Sequence, residues 1–502
     1  MRLGIDLGTT RTLVARVDRG NYPVVSFFDT DGDAHDHFPS VAVAHPERGL
    51  LFGFEAIAAA RDEDLRLIRS FKRRLAYPDV NAETTMSVGG KLVPVVDVIT
   101  GFLGALRTAL AERSSISDEF DGDETMVAVP AHAPGIQRFL TLEAFRRAGF
   151  TVLGVVNEPS AAGFEYTHRQ GRTLNSRRTR VIIYDLGGGT FDSSLIKVDG
   201  TAHEVLDTAG HNRLGGDDFD AALAQVAVAQ AGLPWGELGR RPYEDLVDEC
   251  RTAKESINAQ TRRVTVDVND APVTVRIPDF YEVAGELVDR TVATMSPLIG
   301  LDAQGNPSLN DTEVAGIYLV GGASGLPLVA RRLREQFGRR VHRSPYPAAS
   351  TAIGLAIAAD ESAGFSLQDR LSRGFGVFRE ADDGQGISFD QIFDRTTVTG
   401  TDTFEVIRRY QPQHNIGWFR FVEYASVDEQ GLPTGDIVPF AEMLFPYDPA
   451  LRGQDLEGLP ITRIGEGGII EERYLIDPHG IVEVHVTDLS RGYQISRVLG
   501  EN

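Results

Sequence analysis

The hydrophobic positions of this chain fall into two regimes that meet near residue 360. Before it, short apolar runs alternate with longer stretches in which apolar residues recur every three to four positions. That recurrence predicts helices over 53–76, 97–112, 134–148, 158–168, 217–231, 243–258, 279–298, 324–337 and 350–359. The apolar runs MVAVP (126–130) and VLGVV (152–156) read as buried strands. Strand–helix alternation of this kind implies an α/β architecture with mixed sheets. Beyond residue 372 the helical spacing almost disappears. Runs with partial two-residue alternation at 403–410, 418–427, 473–477 and 480–489 are separated by Gly, Pro, Asp and Asn. They predict an antiparallel β-sandwich of roughly 130 residues.

The α/β part carries an internal repeat. Residues 3–18 read LGIDLGTTRTLVARVD and residues 181–199 read VIIYDLGGGTFDSSLIKVD. Each is an apolar strand reaching Asp-Leu-Gly, a turn of Gly and Thr, and a returning apolar strand. Such a hairpin lets its turn approach a ligand closely. Two copies suggest two similar lobes, each offering a carboxylate (Asp6, Asp185) and a glycine turn. A third turn, GIYLVGGASG at 316–325, ends a strand in Gly321-Gly322 ahead of helical spacing, and a helix start presents free N–H groups to an anion. Each feature alone is an ordinary turn; the three together are specific.

Charge and composition narrow the ligand. The 502 residues include 72 acidic and 50 basic side chains, a formal net charge of −22, and the length implies two or more domains. The acid excess argues against nonspecific nucleic-acid binding. It leaves nucleotides open, because backbone N–H groups and a divalent cation can meet phosphates locally. Cys250, the single cysteine, excludes an internal disulfide and a cysteine-rich zinc site and fits a reducing compartment. No apolar run of about 18 residues is present and the first residues lack a signal core, so the expectation is a cytoplasmic protein without membrane association. His35, His37 and His45 lack a fourth ligand nearby and read as a solvated loop.

The two Asp-Gly hairpins and the Gly-Gly turn resemble the actin-like ATPase superfamily. Finer motifs resemble the seventy-kilodalton heat-shock chaperone family: GIDLGTT (4–10), FPSVAVA (38–44), SFKRRLA (70–76), VAVPAHA (127–133), VNEPSAA (156–162), YDLGGGTFD (184–192), LGGDDFD (214–220), AKESIN (253–258) and LVGGASGLP (319–327). They stand in the family's order, and YLIDPHGIVEVHVTD (474–488) resembles the end of its β substrate domain. The resemblance implies a two-lobed actin-like nucleotide-binding domain over 1–362, a linker over 363–371 and a smaller all-β sandwich over 372–502, with no length left for the helical lid of that family. A lidless groove implies weak, transient peptide binding.

The same resemblance implies ATP or ADP with magnesium as ligands. Asp6 and Asp185 would face the metal mostly through water, with Asp192 as a further carboxylate. Gly8, Thr9, Thr10 and Arg11, then Gly187, Gly188 and Gly189, would cradle phosphates, with Gly215, Gly216, Gly321, Gly322, Ala323 and Ser324 completing the nucleotide site. Lys72, Glu158, Asp185 and Thr190 would position the attacking water and offset developing charge. Arg251, Lys254, Glu255 and Asn258 would serve the adenosine side, with Lys254 and Asn258 as a helical i, i+4 pair for the ribose. Pro130, Arg138 and Asp369 match the relay between nucleotide and substrate domains.

Departures from the pattern fall on the adenosine side. Arg251 and Glu255 exchange the family's usual charges, Gly325 replaces the arginine that stacks on the base, and 346–350 (YPAAS) lacks the usual Asp-Glu. Arg251 is the candidate replacement for the stacking guanidinium. Gly154 stands where the co-chaperone-binding arginine is usual. The expectation is a monomeric, ATP-hydrolysing chaperone-like protein that couples nucleotide state to binding of an extended or unfolded polypeptide between loops within 374–411. A J-domain co-chaperone and a nucleotide-exchange factor are its implied partners. The alternative is a nucleotide-binding regulatory or scaffold protein of the same fold without peptide cycling.

Overall fold

The computed structural model describes every residue except 78, 121–123, 171–173, 176, 235, 237, 301–307, 310, 382–385, 400–401, 466 and 502. It is a mixed α/β chain with many sheets, and it divides into two compact units. One comprises Met1–Arg73, Gly104–His132 and Phe150–Leu367; the other comprises Arg74–Leu103, Ala133–Gly149 and Gln368–Asn502.

The first unit holds the repeat. Strands Arg2–Asp6 and Arg11–Arg16 pair antiparallel with Asp6 opposite Leu13, and Arg2–Asp6 takes Glu124–Val129 as a parallel neighbour. Strands Arg180–Leu186 and Phe191–Asp199 pair antiparallel with Asp185 opposite Asp192, and Arg180–Leu186 takes Val314–Val320 as its parallel neighbour. Both sheets thus centre on an Asp-Gly hairpin flanked by a parallel strand. Central strands covered on both faces must be apolar throughout, as Val314–Val320 is at every position. Tyr184, Phe191, Phe219 and Phe280 anchor the largest core cluster.

Eight of the nine expected helical stretches contain helices with similar bounds, such as Gly135–Arg147, Gly216–Gln230, Ile277–Ile299 and Ser350–Ala359. The stretch 53–76 divides. Helix Gly53–Glu63 stops at Asp64, whose left-handed backbone (φ 50°) closes the last turn, and Leu67–Arg69 then pairs with Val41–His45. A 3-10 turn, Phe71–Ala76, follows with Phe71 buried beneath it. The third glycine turn is also a 3-10 turn, Gly322–Gly325, and the helix proper begins at Pro327.

The second unit contains two four-stranded antiparallel sheets. One is ordered Gly386–Phe393, Gly374–Ala381, Ile416–Tyr424, Val438–Pro446; the other is ordered Phe404–Tyr410, Ile470–Ile476, Val482–Asp488, Tyr493–Val498. Phe375, Phe421, Phe445, Tyr474 and Val484, drawn from both sheets, belong to one hydrophobic cluster. Strand Gly374–Ala381 escaped the hydrophobic pattern because it carries Arg379, which is paired with Glu472 and, at 3.2 Å, with Asp390. The stretch expected as a linker contains the strand Ser366–Arg370. Helix Gly135–Arg147 has no side-chain cap of its own; Glu423 accepts the Gly135 N–H at 3.0 Å with both carboxylate oxygens.

Two glycines in the first unit give opposite predictions. Helix Ser350–Ala359 packs on helix Glu158–Gln170 so closely that a Cβ on Gly354 would overlap the Ala161 backbone. Gly285, in helix Ile277–Ile299, has open space around it. Gly354→Ala should cost about 1–3 kcal/mol by overpacking, and Gly285→Ala should gain about 0.4–1 kcal/mol by restricting the unfolded chain. Thermal melting of the two variants should move in opposite directions.

Candidate functional site

The turns of the first unit meet around a cavity of about 310 Å³. Glycine is what permits the approach. A Cβ on Gly188 would sit 3.0 Å from Thr10 Oγ1, one on Gly189 2.9 Å from Thr9 Oγ1, and one on Gly215 2.6 Å from the Gly189 backbone. Gly321 has φ +84°, a left-handed backbone that disfavours side chains, and a Cβ there would strike the Asp185 carboxylate. The start of helix Gly216–Gln230 is stitched to the second hairpin, with Gly216 N–H on Gly187 O at 2.9 Å and Asp217 N–H on Gly188 O at 2.8 Å.

Asp6, Gly8, Thr9, Thr10, Arg11, Lys72, Glu158, Asp185, Gly187, Gly188, Thr190, Gly216, Arg251, Lys254, Glu255, Gly321, Gly322 and Ala323 all line this cavity. Gly189, Gly215, Ser324 and Asp192 are absent from the lining; the glycines form the packed turns, Ser324 Oγ donates to Gly321 O at 2.7 Å, and Asp192 Oδ1 accepts the His132 N–H at 3.1 Å. Asn258 does not line the cavity. Helix Arg240–Glu255 ends before it, so the expected i, i+4 pair is not helical, and the Asn258 amide oxygen accepts from Gln260 N at 2.9 Å.

Lys72 is held on the 3-10 turn by buried Phe71, and its Nζ donates to Glu158 Oε1 at 2.9 Å. At 6 % and 9 % exposure the two side chains are largely desolvated. Burial works against the ammonium, but Glu158 and Asp6 outweigh it and raise the Lys72 pKa. The carboxyls around it are raised as well, and for them burial is the leading cause. Burial, then the charge of Glu158, pushes Asp6 up to about 7 and Asp192 up to about 7, and the same causes hold Asp185 well above the usual carboxylate range. The cluster holds more acid than one lysine can neutralise.

Three further cations of the cavity are engaged. Arg251 is shared among Asp217 (3.2 Å), Asp220 (3.2 Å) and Asp248 (2.8 Å), which fix its guanidinium in place. Lys254 reaches Asp220 at 2.6 Å and Gly216 O at 2.7 Å, and Arg11 reaches Glu255 at 2.5 Å. Sequence reasoning missed Asp217, Asp220, Ile257, Leu326, Arg343, Ala348 and Thr351, which also line the cavity. The two acids were visible in LGGDDFD, but nothing local marked Arg343.

Elsewhere, Pro130 is buried after strand Glu124–Val129. Arg138 donates to His479 O at 3.3 Å in the second unit, where burial lowers its pKa against the opposing charges of Asp369, Glu423 and Asp477. Arg138 and Asp369 therefore share one electrostatic cluster. Gly154 is packed by Met126, whose Cε and Sδ would lie 3.0 Å from an added Cβ. His35, His37 and His45 each pair with a carboxylate, and among the described residues no group of three His, Cys, Asp or Glu side chains could hold a metal. Cys250 is buried, and burial pushes its thiol up to about 12. A second cavity, about 480 Å³, is lined in the second unit by Arg379, Asp390, Tyr410, His414, Trp418 and Tyr447 among others. Of the 374–411 loops, residues 382–385 and 400–401 lie outside the described residues. No helix among the described residues is long and apolar enough to cross a membrane.

A carboxyl whose folded pKa exceeds its unfolded value stabilises the fold only while protonated. Asp192 rises from 3.8 to about 7, so the metal-free protein should lose stability across that interval as pH increases. Asp192→Asn keeps the Oδ1 acceptor for His132 and removes the ionisation. With a chelator present, the melting temperature of the variant relative to wild type should rise by several degrees between pH 5 and pH 8. Parallel melting curves at both pH values would show that Asp192 is not so displaced.

The family described as Hsp70 protein matches residues 2–373. The chaperone protein HscA of Enterobacter sp. (strain 638) is 34% identical over 376 residues, 72% of this chain and 58% of the relative. Those of Escherichia fergusonii and Cronobacter sakazakii are each 35% identical, over 373 and 374 residues, or 71% of this chain and 57% of the relative. This chain thus spans less than two thirds of the length of the curated relatives it matches. With three glycine turns around one acidic cavity and a match over residues 2–373, the chain belongs to the Hsp70 family.

Proposed function

We propose that this chain hydrolyses ATP in the first-unit cavity and couples its nucleotide state to binding of an extended or unfolded polypeptide by its C-terminal strands. The observation that carries the reading is the convergence of both Asp-Gly turns, the Gly321 turn and the buried Lys72–Glu158 pair on one cavity. In a chain of net charge −22, phosphates have to be met locally. The backbone around Gly8–Thr10 and Gly187–Gly189 supplies uncharged N–H donors, and Lys72 supplies the cation.

The donor set fits hydrated magnesium. Asp6 and Asp185 offer carboxylates too few to cage a metal alone, and magnesium keeps several waters and takes further oxygens from phosphate. Magnesium, when bound, would neutralise charge on the phosphate oxygens; Asp6 and Asp185 would hold its waters, with Asp192 behind them. Lys72, Glu158 and Thr190 orient a water toward the γ-phosphorus. Water oxygen bonds to phosphorus as the bond to the bridging oxygen breaks, yielding ADP and inorganic phosphate. The transition state of such a transfer is loose, so positioning and charge stabilisation carry most of the catalysis. Pro130, Arg138 and Asp369 transmit the nucleotide state. Linkage then requires that peptide alter nucleotide affinity by the factor that nucleotide alters peptide affinity. The HscA relatives are named chaperones, which supports a client polypeptide and, by the family resemblance, a J-domain partner and an exchange factor.

A nucleotide-binding scaffold without peptide cycling is the second reading. It is favoured by the second cavity, whose walls include Arg379, Asp390 and Arg408 rather than aliphatic side chains alone. Affinity for a Leu-rich extended peptide decides between them: a difference between ATP and ADP supports coupling, and equal affinities support the scaffold.

Lys72→Met should reduce ATP turnover by roughly 10²–10³-fold, the usual scale for one electrostatic stabiliser, and leave ATP affinity within a few-fold. Turnover near wild type in this variant would remove Lys72 from the mechanism.

A further inference from the structure

We infer that Arg343 is the base-stacking residue of the nucleotide cavity, and that Gly325 is glycine in order to leave it room. This rests on the nucleotide reading proposed above and adds a residue that sets which nucleoside the cavity prefers. Arg343 ends the strand Val341–Arg343, paired opposite Leu319, and its side chain lines the cavity. Five cations line that cavity. Lys72 is bonded to Glu158, Arg11 to Glu255, Lys254 to Asp220 and Arg251 to three aspartates. Among the described residues Arg343 alone of the five has no hydrogen-bond or ion-pair partner, and it is exposed.

Gly325 closes the 3-10 turn Gly322–Gly325 with a backbone outside the left-handed region, so conformation does not demand glycine there. A Cβ at 325 would lie 3.3 Å from Arg343 Nη2, tight enough that a longer side chain would displace the guanidinium. The adjoining walls, Ala323, Leu326 and Ala348, are apolar and give no side-chain donors to a phosphate. A planar, weakly hydrated guanidinium beside apolar walls matches the face of a heteroaromatic ring, to which it is drawn by cation–π attraction and stacking. Stacking rewards ring area, so the cavity prefers purine to pyrimidine nucleotides. Arg251, by contrast, spends its donors on three carboxylates.

The test uses the full chain with magnesium and measures affinity for ATP, CTP and inorganic tripolyphosphate by calorimetry. Wild type should bind ATP more tightly than CTP. Arg343→Ala should weaken ATP by about ten-fold, narrow the ATP–CTP difference and leave tripolyphosphate unchanged. Arg343→Lys should not restore ATP affinity, because an ammonium lacks the planar face. Gly325→Leu, with Arg343 intact, should weaken ATP in the same direction. ATP affinity unchanged in Arg343→Ala would overturn the assignment and leave the nucleotide reading standing. Equal losses for ATP and tripolyphosphate would overturn it too, by placing Arg343 on the phosphates. Failure of wild type to bind ATP would overturn the nucleotide reading itself.

Discussion

Four carboxyl side chains, Asp6, Asp185, Asp192 and Glu158, interact around one buried lysine, and the site depends on that imbalance. Burying a carboxylate without compensation is costly, and the displaced pKa values of Asp6, Asp185 and Asp192 record that cost. The Lys72–Glu158 contact offsets part of it; the remainder makes the cluster a sink for positive charge. Backbone topology imposes the arrangement. Asp6 ends one central strand, Asp185 stands one residue before the end of another, and the second hairpin fixes Asp192 opposite Asp185. The three aspartates are therefore built into the sheets, while Glu158 opens a helix and Lys72 sits on a 3-10 turn.

The glycines follow from the same constraint. To bring two hairpin turns, a helix start and the Gly321 turn to one cavity, backbones must approach where side chains would collide. Gly188 and Gly189 lie against Thr10 and Thr9, and Gly215 against Gly189. At Gly188 and Gly189 this puts backbone rather than side chains where the proposed phosphates require neutral donors. Three aspartates hold Arg251 and Asp220 holds Lys254 at the wall of the cavity.

The Asp-Gly hairpins were legible in the sequence because their signal is local: an apolar strand, an acid, glycines and a second strand within about twenty residues. Lys72 was not legible that way, since a lysine in SFKRRLA reads as a solvated face. Only the resemblance marked it, and the reason it is buried lies 86 residues away, at Glu158. Arg343 and Gly325 were illegible as a pair for the same reason: the clearance between them exists only once the strand and the 3-10 turn are side by side. Asn258 failed in the opposite direction, because a helical spacing was extended past the residue where the helix ends. In the second unit, Gly374–Ala381 and Gly386–Phe393 were hidden because Arg379 and Asp390 neutralise each other across the strands, so charged positions lie where a simple alternation would put apolar ones.

The acidic cluster makes one demand that a different cavity would not. If Asp6 and Asp192 hold protons near pH 7 and a magnesium–nucleotide complex is what relieves them, binding must release protons. Calorimetric titration of preformed magnesium–ATP into the full chain at pH 7, repeated in buffers of different ionisation enthalpy, reads that release directly. Net release of protons on binding is the required result; binding without release, or with uptake, would contradict the cluster as described.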